Sequence, residues 1–199
     1  DPLPDFTGVN NRDRMVKSAE MAGGISQTPD ISWLVNGAAQ TEDPAVMINE
    51  KQYAVLVPGC SLAKPQKRWP ADRFAAIGNE LASRGFKIVL VGTADDREAV
   101  NAVLAASPDA IDLCEKTNLV GLARLLGGAA FVIGNDTGPM FLAARTGVPS
   151  LMIMGPDTDP TMSAPKGAKA KWLQGAPISE VSAAAAIGAL ESLGLKPNA

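Results

Sequence analysis

From Tyr53 onward, short runs of almost wholly apolar residues alternate with amphipathic segments, and few folds satisfy that alternation. YAVLV (Tyr53 to Val57), KIVLVG (Lys87 to Gly92), AIDLC (Ala110 to Cys114), FVIGN (Phe131 to Asn135) and PSLMIMG (Pro149 to Gly155) read as strands. A sixth is expected around Lys171 to Leu173. Strands apolar on both sides belong in a parallel sheet covered on both faces. The segments between them read as helices. Phe74, Ile77, Gly78 and Leu81 fall at i, i+3, i+4 and i+7, with Pro70 in the first turn and Gly85 past the end. Asp95 to Ala106 is a helix stopped by Pro108. Leu119, Leu122, Ala123 and Leu126 line a third, with Asn118 as N-cap. GPMFLAARTG is a fourth, and Ser179 to Leu193 the last. Right-handed crossovers make this a doubly wound α/β fold, whose ligands bind at the carboxyl ends of the strands.

Residues 1–50 lack that rhythm. Asn11 to Ala22 reads as one short helix with Met15, Ala19 and Ala22 on a common face. The stretch that follows is polar and broken by Gly and Pro, a connector with Trp33 and Leu34 as its apolar anchor. At about 150 residues per domain, the 199 residues make one domain, 51–199, plus a fringe. The chain does not begin with Met, and is expected to be a mature fragment or one half of something longer.

The sequence contains 0 His, which removes Ser-His-Asp and Cys-His nucleophiles and His-ligated metals. Lys plus Arg is 18 against 21 for Asp plus Glu, a net charge of -3, so nucleic acid is not expected as the main partner. Two isolated cysteines, Cys60 and Cys114, form no disulfide framework and fit a reducing cytosol. No apolar run approaches the roughly 18 residues of a membrane span.

Chemistry is therefore sought in the loops. After the first strand, PGCSLAKPQKRWP offers Ser61 and three cations, Lys64, Lys67 and Arg68. A pyrophosphate would meet ammonium and backbone N–H groups there; the alternative is a solvated basic loop. After the fourth strand, GNDTGP places Asp136 and Thr137 just before a helix, with Gly134 and Gly138 permitting tight turns. The helix start can hold an anion on its backbone donors and the Thr137 hydroxyl, or these residues are ordinary caps. GTADDRE puts Asp95 and Asp96 near another helix start, as ribose acceptors or as dipole partners. Thr117, beyond the third strand, is uncommitted. In PDTDP the Asp-x-Asp could hold a metal between phosphates, or its carboxylates serve a turn. No P-loop or G-x-G-x-x-G follows any strand.

Taken in order, these motifs resemble glycosyltransferase family 9, the ADP-heptose:lipopolysaccharide heptosyltransferases. A strand runs into PG and then K-x-W-P (Lys67, Trp69, Pro70). G-T-A-D-D-R-E is similar to the family's G-G-P-x-D/E-R-E. T-x-L (Thr117, Leu119), N-D-T-G-P-M (Asn135 to Met140), G-V-P and G-P-x-x-D-P follow in register. The match covers Tyr53 to about Leu193. The helix near Asp13-Arg14-Met15 resembles the last helix of the family's N-terminal domain.

The resemblance implies a GT-B architecture, two Rossmann-like domains with the reaction between them. This chain would be the C-terminal, donor-binding half, with residues 1–50 the end of an absent N-terminal domain plus linker. The implied activity is transfer of a sugar, heptose by the family's habit, from a nucleotide-diphosphate donor to a lipopolysaccharide-core or other surface-glycan acceptor. It would be inverting and metal-independent, with no cofactor, and the general base would lie in the N-terminal domain. By the same carry-over Lys67 contacts the diphosphate and Ser61 adds a hydrogen bond. Asp96 takes the ribose, Thr117 meets the base, and Asp136, Thr137 and Gly138 close on phosphates and sugar. The implied location is cytoplasmic, free or peripheral on the inner face of the bacterial inner membrane. One position departs. The family usually has His three residues after the Gly of D-T-G, and here Phe141 stands at that donor-binding position. Either the donor is held differently, or its sugar is not heptose, or the domain has lost activity. The last option leads to a second reading, a non-catalytic nucleotide-binding or interaction module. A third, a nicotinamide-dependent dehydrogenase, lacks its glycine fingerprint.

Overall fold

Residues 5–25, 30–36, 48 and 52–196 are described by the computed structural model. In chain order the elements are α1 (Asn11–Met21), α2 (Ser32–Asn36), β1 (Tyr53–Val57), α3 (Ala71–Ser83), β2 (Lys87–Leu90), α4 (Arg97–Ala106), β3 (Ile111–Asp112) and α5 (Leu119–Gly128). Then come β4 (Phe131–Asn135), α6 (Gly138–Thr146), β5 (Ser150–Met154), α7 (Pro160–Ser163), β6 (Ala170–Gln174) and α8 (Ala183–Glu191). The six strands form one parallel sheet in the order β3-β2-β1-β4-β5-β6. That is the Rossmann-like, doubly wound arrangement, with its order reversing between β1 and β4.

The apolar strands divide by alternation. Ala54 and Leu56 of β1 join Ile88, Leu90, Ile133, Leu151 and Ile153 on one face, packed against α3, α4 and α8 through Phe74, Ile77, Leu81, Val100, Val103 and Leu190. Val55 and Val57 turn the other way, with Val89, Val132, Met152 and Met154, onto Leu125 and Leu126 of α5 and Met140 and Ala143 of α6. All five residues of β1, β4 and β5 are buried. The large side chains among them contribute about 1.5–3 kcal/mol apiece relative to exposure. Asn118 caps α5, its side chain accepting from the Gly121 N–H at 2.8 Å. Gly85 lies at φ +88°, just beyond α3, as a helix terminator should.

Some expectations change. β3 is two residues long rather than five, because it lies at the sheet edge and Glu115, at φ +64°, soon turns the chain away. α4 begins at Arg97, after a separate tight turn over Ala94–Asp96. α1 buries none of its residues and Met15 is 74% exposed, so its apolar face is not covered by this domain. α1 instead touches α7 through polar groups. Asn10 Nδ2 donates to the Thr161 and Ala164 carbonyls, both at 3.3 Å, and Lys166 pairs with Asp13. In the connector, α2 packs on α5 through Val35, which closes on Gly127, while Trp33 is exposed. The rest of the expected connector, residues 26–29 and 37–47, lies outside the described residues. Among the described residues no helix is long and apolar enough to cross a membrane.

The short β3 is tied to α4 by Arg97, whose Nη1 meets Asp112 Oδ2 at 2.7 Å and whose Nη2 meets Glu115 Oε2 at 3.0 Å. Burial pushes the Asp112 carboxyl up, but the Cys114 N–H and the Arg97 guanidinium outweigh it and hold the group below its ordinary value. A depressed carboxyl stabilises the fold above its unfolded pKa, about 3.9, and that contribution disappears as pH falls through the folded value. Asp112→Asn is therefore expected to lower the melting temperature at pH 7, with the gap from wild type closing below about pH 4. Melting curves from pH 7 to 3 check it; a gap independent of pH would contradict the linkage.

Candidate functional site

The point where strand order reverses brings together the loops after β1 and β4, and both of the motifs richest in polar groups are there. The first loop leaves β1 through Pro58 and Gly59 and returns at Trp69. Trp69 anchors its far end: it is 2% exposed, its Nε1 donates to the Val181 carbonyl at 2.8 Å, and its ring meets Phe74 edge-on at 5.1 Å. The three cations in this loop part company. Lys64 is exposed. Arg68 turns back, its Nη2 donating to the Cys60 and Asp95 carbonyls at 3.4 and 3.3 Å. Lys67 reaches across the reversal point and pairs with Asp136. Their side chains are only 15% and 7% exposed, so the solvated-loop alternative does not hold for Lys67.

Asp136 is not a cap. The Oδ2 that receives Lys67 also accepts from Thr158 Oγ1 at 2.7 Å. The turn carrying Thr158 is braced by Gln174 of β6, whose Nε2 donates to the Gly155 and Thr158 carbonyls at 3.0 and 2.7 Å. The loops after β1, β4 and β5 therefore meet at one carboxylate. The N-cap of α6 is Thr137, in extended conformation, and its hydroxyl makes no cap bond. That leaves the hydroxyl and the helix's first turn to a ligand. Neither Gly134 nor Gly138 has a left-handed backbone. Gly134 is needed for room instead, since a Cβ would come within 2.7 Å of Val57 Cβ.

Beside this cluster is a cleft of about 470 Å³ along the carboxyl ends of β1 and β2 and the start of α5. Ser61, Asp96, Thr117 and Thr137 all line it, with Leu119 and Leu122 forming its apolar part. Asp96 is held by Thr93, whose N–H and Oγ1 both donate to Asp96 Oδ2 at 2.9 Å. Its Oδ1 lies so close to Gly59 that a Cβ there would sit 2.0 Å away. One oxygen of Asp96 thus braces the helix start, while the residue borders the cleft.

Of the eight residues expected to bind the donor, the cleft unites Ser61, Asp96, Thr117 and Thr137. Lys67 and Asp136 form the adjoining ion pair, and Gly138 opens α6 next to Thr137. Phe141 is elsewhere. It borders a different, largely apolar hollow with Met15 of α1 and Met162 of α7. One turn along α6 from Gly138 has carried it away from the cleft. Three participants were missed. Leu119 matches the helical apolar period and so reads as core, yet it is the first residue of α5, lines the cleft and is 68% exposed. Thr158 was passed over for the carboxylates flanking it. Asn135 reads as the end of a strand and the head of the N-D-T-G-P-M motif, with no role of its own; it is fully buried and hydrogen-bonds to both ends of the β1 loop.

The Asp-x-Asp resolves as turn chemistry. Asp157 accepts from Gln66 Nε2 at 2.8 Å, and Asp159 caps α7, accepting from the Thr161 N–H and Oγ1 at 2.8 and 2.7 Å. Among the described residues no three His, Cys, Asp or Glu side chains converge as metal ligands. Cys60 and Cys114 are buried and unbridged, and burial pushes both thiols up, away from the reactive thiolate.

The family model for glycosyltransferase family 9 (heptosyltransferase) matches residues 15–182. The chain is 29% identical over 134 residues to lipooligosaccharide heptosyltransferase 2 of Haemophilus influenzae, covering 65% of this chain and 38% of that protein. It is 32% identical over 131 residues to lipopolysaccharide heptosyltransferase 1 of an Escherichia coli O18:K1:H7 strain, covering 66% and 39%. The chain thus spans about two fifths of these curated relatives. In fold it is similar to the glycosyl transferase family 9 structure from Veillonella parvula, at TM-score 0.79 and 24% identity, over 96% of this chain and 62% of that one. It is also similar to E. coli heptosyltransferase WaaC with ADP, at TM-score 0.71 and 24% identity, over 88% and 54%. A family-model match over residues 15–182, a span that holds every strand of the sheet and the loops that build the cleft and its ion pair, places this chain in glycosyltransferase family 9, the heptosyltransferase family.

Proposed function

We propose that residues 51–199 are the nucleotide-sugar-binding domain of a heptosyltransferase-like enzyme, and that residues 1–50 are the end of its N-terminal domain plus a linker. The donor is an ADP-heptose-like nucleotide diphosphate sugar, and the acceptor a lipopolysaccharide core or another surface glycan. Support comes from family membership and from one observation above the others: Ser61, Asp96, Thr117 and Thr137 share a cleft whose edge is the Lys67–Asp136 pair. The apolar end, at Leu119 and Leu122, suits a base. The Asp96 carboxylate suits ribose hydroxyls. The start of α6 and Lys67 suit the diphosphate.

In the transfer an acceptor hydroxyl attacks the anomeric carbon, and the carbon–oxygen bond to the β-phosphate breaks with inversion. The bonding electrons leave with the nucleoside diphosphate. Negative charge grows on the phosphate oxygens, and a cation already in place stabilises it most where water is excluded. Lys67 supplies that cation in a metal-independent reaction. Asp136 holds its ammonium in position and is itself free to accept from a sugar hydroxyl once phosphate takes over the lysine. The base that deprotonates the acceptor belongs to the N-terminal domain. A nucleotide-sugar donor and two unbridged thiols go with a cytoplasmic setting, free or at the inner face of the membrane.

Titration calorimetry with ADP, UDP, GDP and their sugars tests this reading. ADP is expected to bind below millimolar concentration and more tightly than UDP or GDP. Absence of binding by every nucleoside diphosphate at millimolar concentration would overturn it. Phe141, turned away from the cleft in place of a polar family residue, favours a second reading, a module that binds nucleotide without transfer. Turnover by the chain joined to its N-terminal domain would exclude that reading.

A further inference from the structure

The residue that organises this site bears no resemblance to a ligand-binding group. Asn135, the last residue of β4, has 0% of its surface exposed. Both ends of its carboxamide are engaged. Nδ2 donates to the Pro58 carbonyl at 2.7 Å and to the Gly59 carbonyl at 3.3 Å, and Oδ1 accepts from the Trp69 N–H at 2.9 Å. Pro58 and Gly59 are where the β1 loop departs, and Trp69 is where it returns. One side chain thus closes both ends of the loop that carries Ser61 and Lys67.

We propose that Asn135 is a positioning residue, whose buried carboxamide clamps the two ends of the 58–69 loop to β4 and so sets Lys67 and Asp96 in register with the start of α6. The link to Asp96 runs through Gly59, whose Cα is in close contact with that carboxylate. The link to Lys67 runs through the residue after Asn135, Asp136, which is the lysine's partner. Only a group that both donates and accepts satisfies two carbonyls and one N–H at once. Aspartate has the same shape, but when ionised it only accepts, and it would face the two carbonyls with negative charge.

The inference rests on the donor-binding reading for its consequence, and its test has an arm that does not. Lys67 and Arg68 make the loop a trypsin target. Asn135→Asp is expected to be cut after these residues at least tenfold faster than wild type at pH 8, since the ionised carboxylate loses both donations to the Pro58 and Gly59 carbonyls. The thermal midpoint should fall by only a few degrees. In the second arm, ADP affinity of Asn135→Asp relative to wild type is expected to recover as pH falls toward 5. A buried carboxyl facing carbonyls has a raised pKa and regains its donor on protonation. Cys60, Lys67, Arg68, Asp96 and Asp136, the titratable groups around it, are the same in both proteins and cancel in the ratio. Wild-type cleavage rates, or an Asn135→Asp protein whose extra cleavage is spread over the whole chain through global unfolding, would overturn the proposal. So would an affinity ratio flat in pH. If wild type binds no nucleotide, the donor-binding reading fails and the protease arm still decides the clamp.

Discussion

Lys67→Ala is expected to weaken ADP binding by about 10- to 150-fold, because a hydrogen bond to a charged group contributes on the order of 1.5–3 kcal/mol. The environment pushes the effect toward the upper end. Asp136 is 7% exposed at its side chain, and without Lys67 it keeps, among the described residues, the Thr158 hydroxyl to offset its charge. An uncompensated carboxylate would then face the site of an anionic ligand, which adds repulsion to the lost contact. The double variant Lys67→Ala/Asp136→Asn removes that repulsion and should bind ADP more tightly than Lys67→Ala, though less tightly than wild type. It should also melt higher than the single variant. Calorimetry and melting curves on the four proteins of the cycle measure both. Unchanged affinity in Lys67→Ala would place the diphosphate elsewhere.

Gly59→Ala is expected to cost at least tenfold in ADP affinity through a residue that need not touch the ligand. An added Cβ would stand 2.0 Å from Asp96 Oδ1 and 2.1 Å from its Cγ. No rotation of a two-bond side chain clears that overlap while keeping both bonds from Thr93. Asp96 must leave the cleft or Gly59 must move, and Gly59 is tied to Asn135. The proposed ribose contact of Asp96 goes first, on the order of 1.5–3 kcal/mol for a charged acceptor. Pyrophosphate, which has no ribose, should bind the variant nearly as well as wild type. Parallel titrations with ADP and pyrophosphate separate the two terms. Equal losses for both ligands would mean that the whole loop has moved, and no loss for ADP would remove Asp96 from the site.

Much of this site is legible before any coordinates. Ser61, Thr117 and Thr137 are found by asking which polar residues follow each strand, because a parallel sheet brings every strand's carboxyl end to one rim. What fails is partner choice. The spacing puts Lys67 in a cationic loop and Asp136 before a helix, and reads one as free charge and the other as a possible cap. They are 69 positions apart and form one pair, because the β1 and β4 loops are neighbours at the reversal point. Phe141 fails for a related reason. Motif position places it with Gly138, but three residues of helix turn a side chain by most of a revolution, here toward α1 and α7. Trp33 fails because size suggested an anchor, while the contact with α5 is made by Val35.

The amino-acid sequence by itself determined the alternation of buried strands and amphipathic helices, and through it the parallel doubly wound sheet. Those properties depend on local period and on which residues avoid water, and both are written along the chain. The tertiary structure decided which charges meet, where β3 stops, and that Asn135 holds the ends of a loop begun 77 positions earlier. Hydrogen bonds and ion pairs act over about 3 Å, and distance along a chain says nothing about distance across a fold until the strands have taken their order.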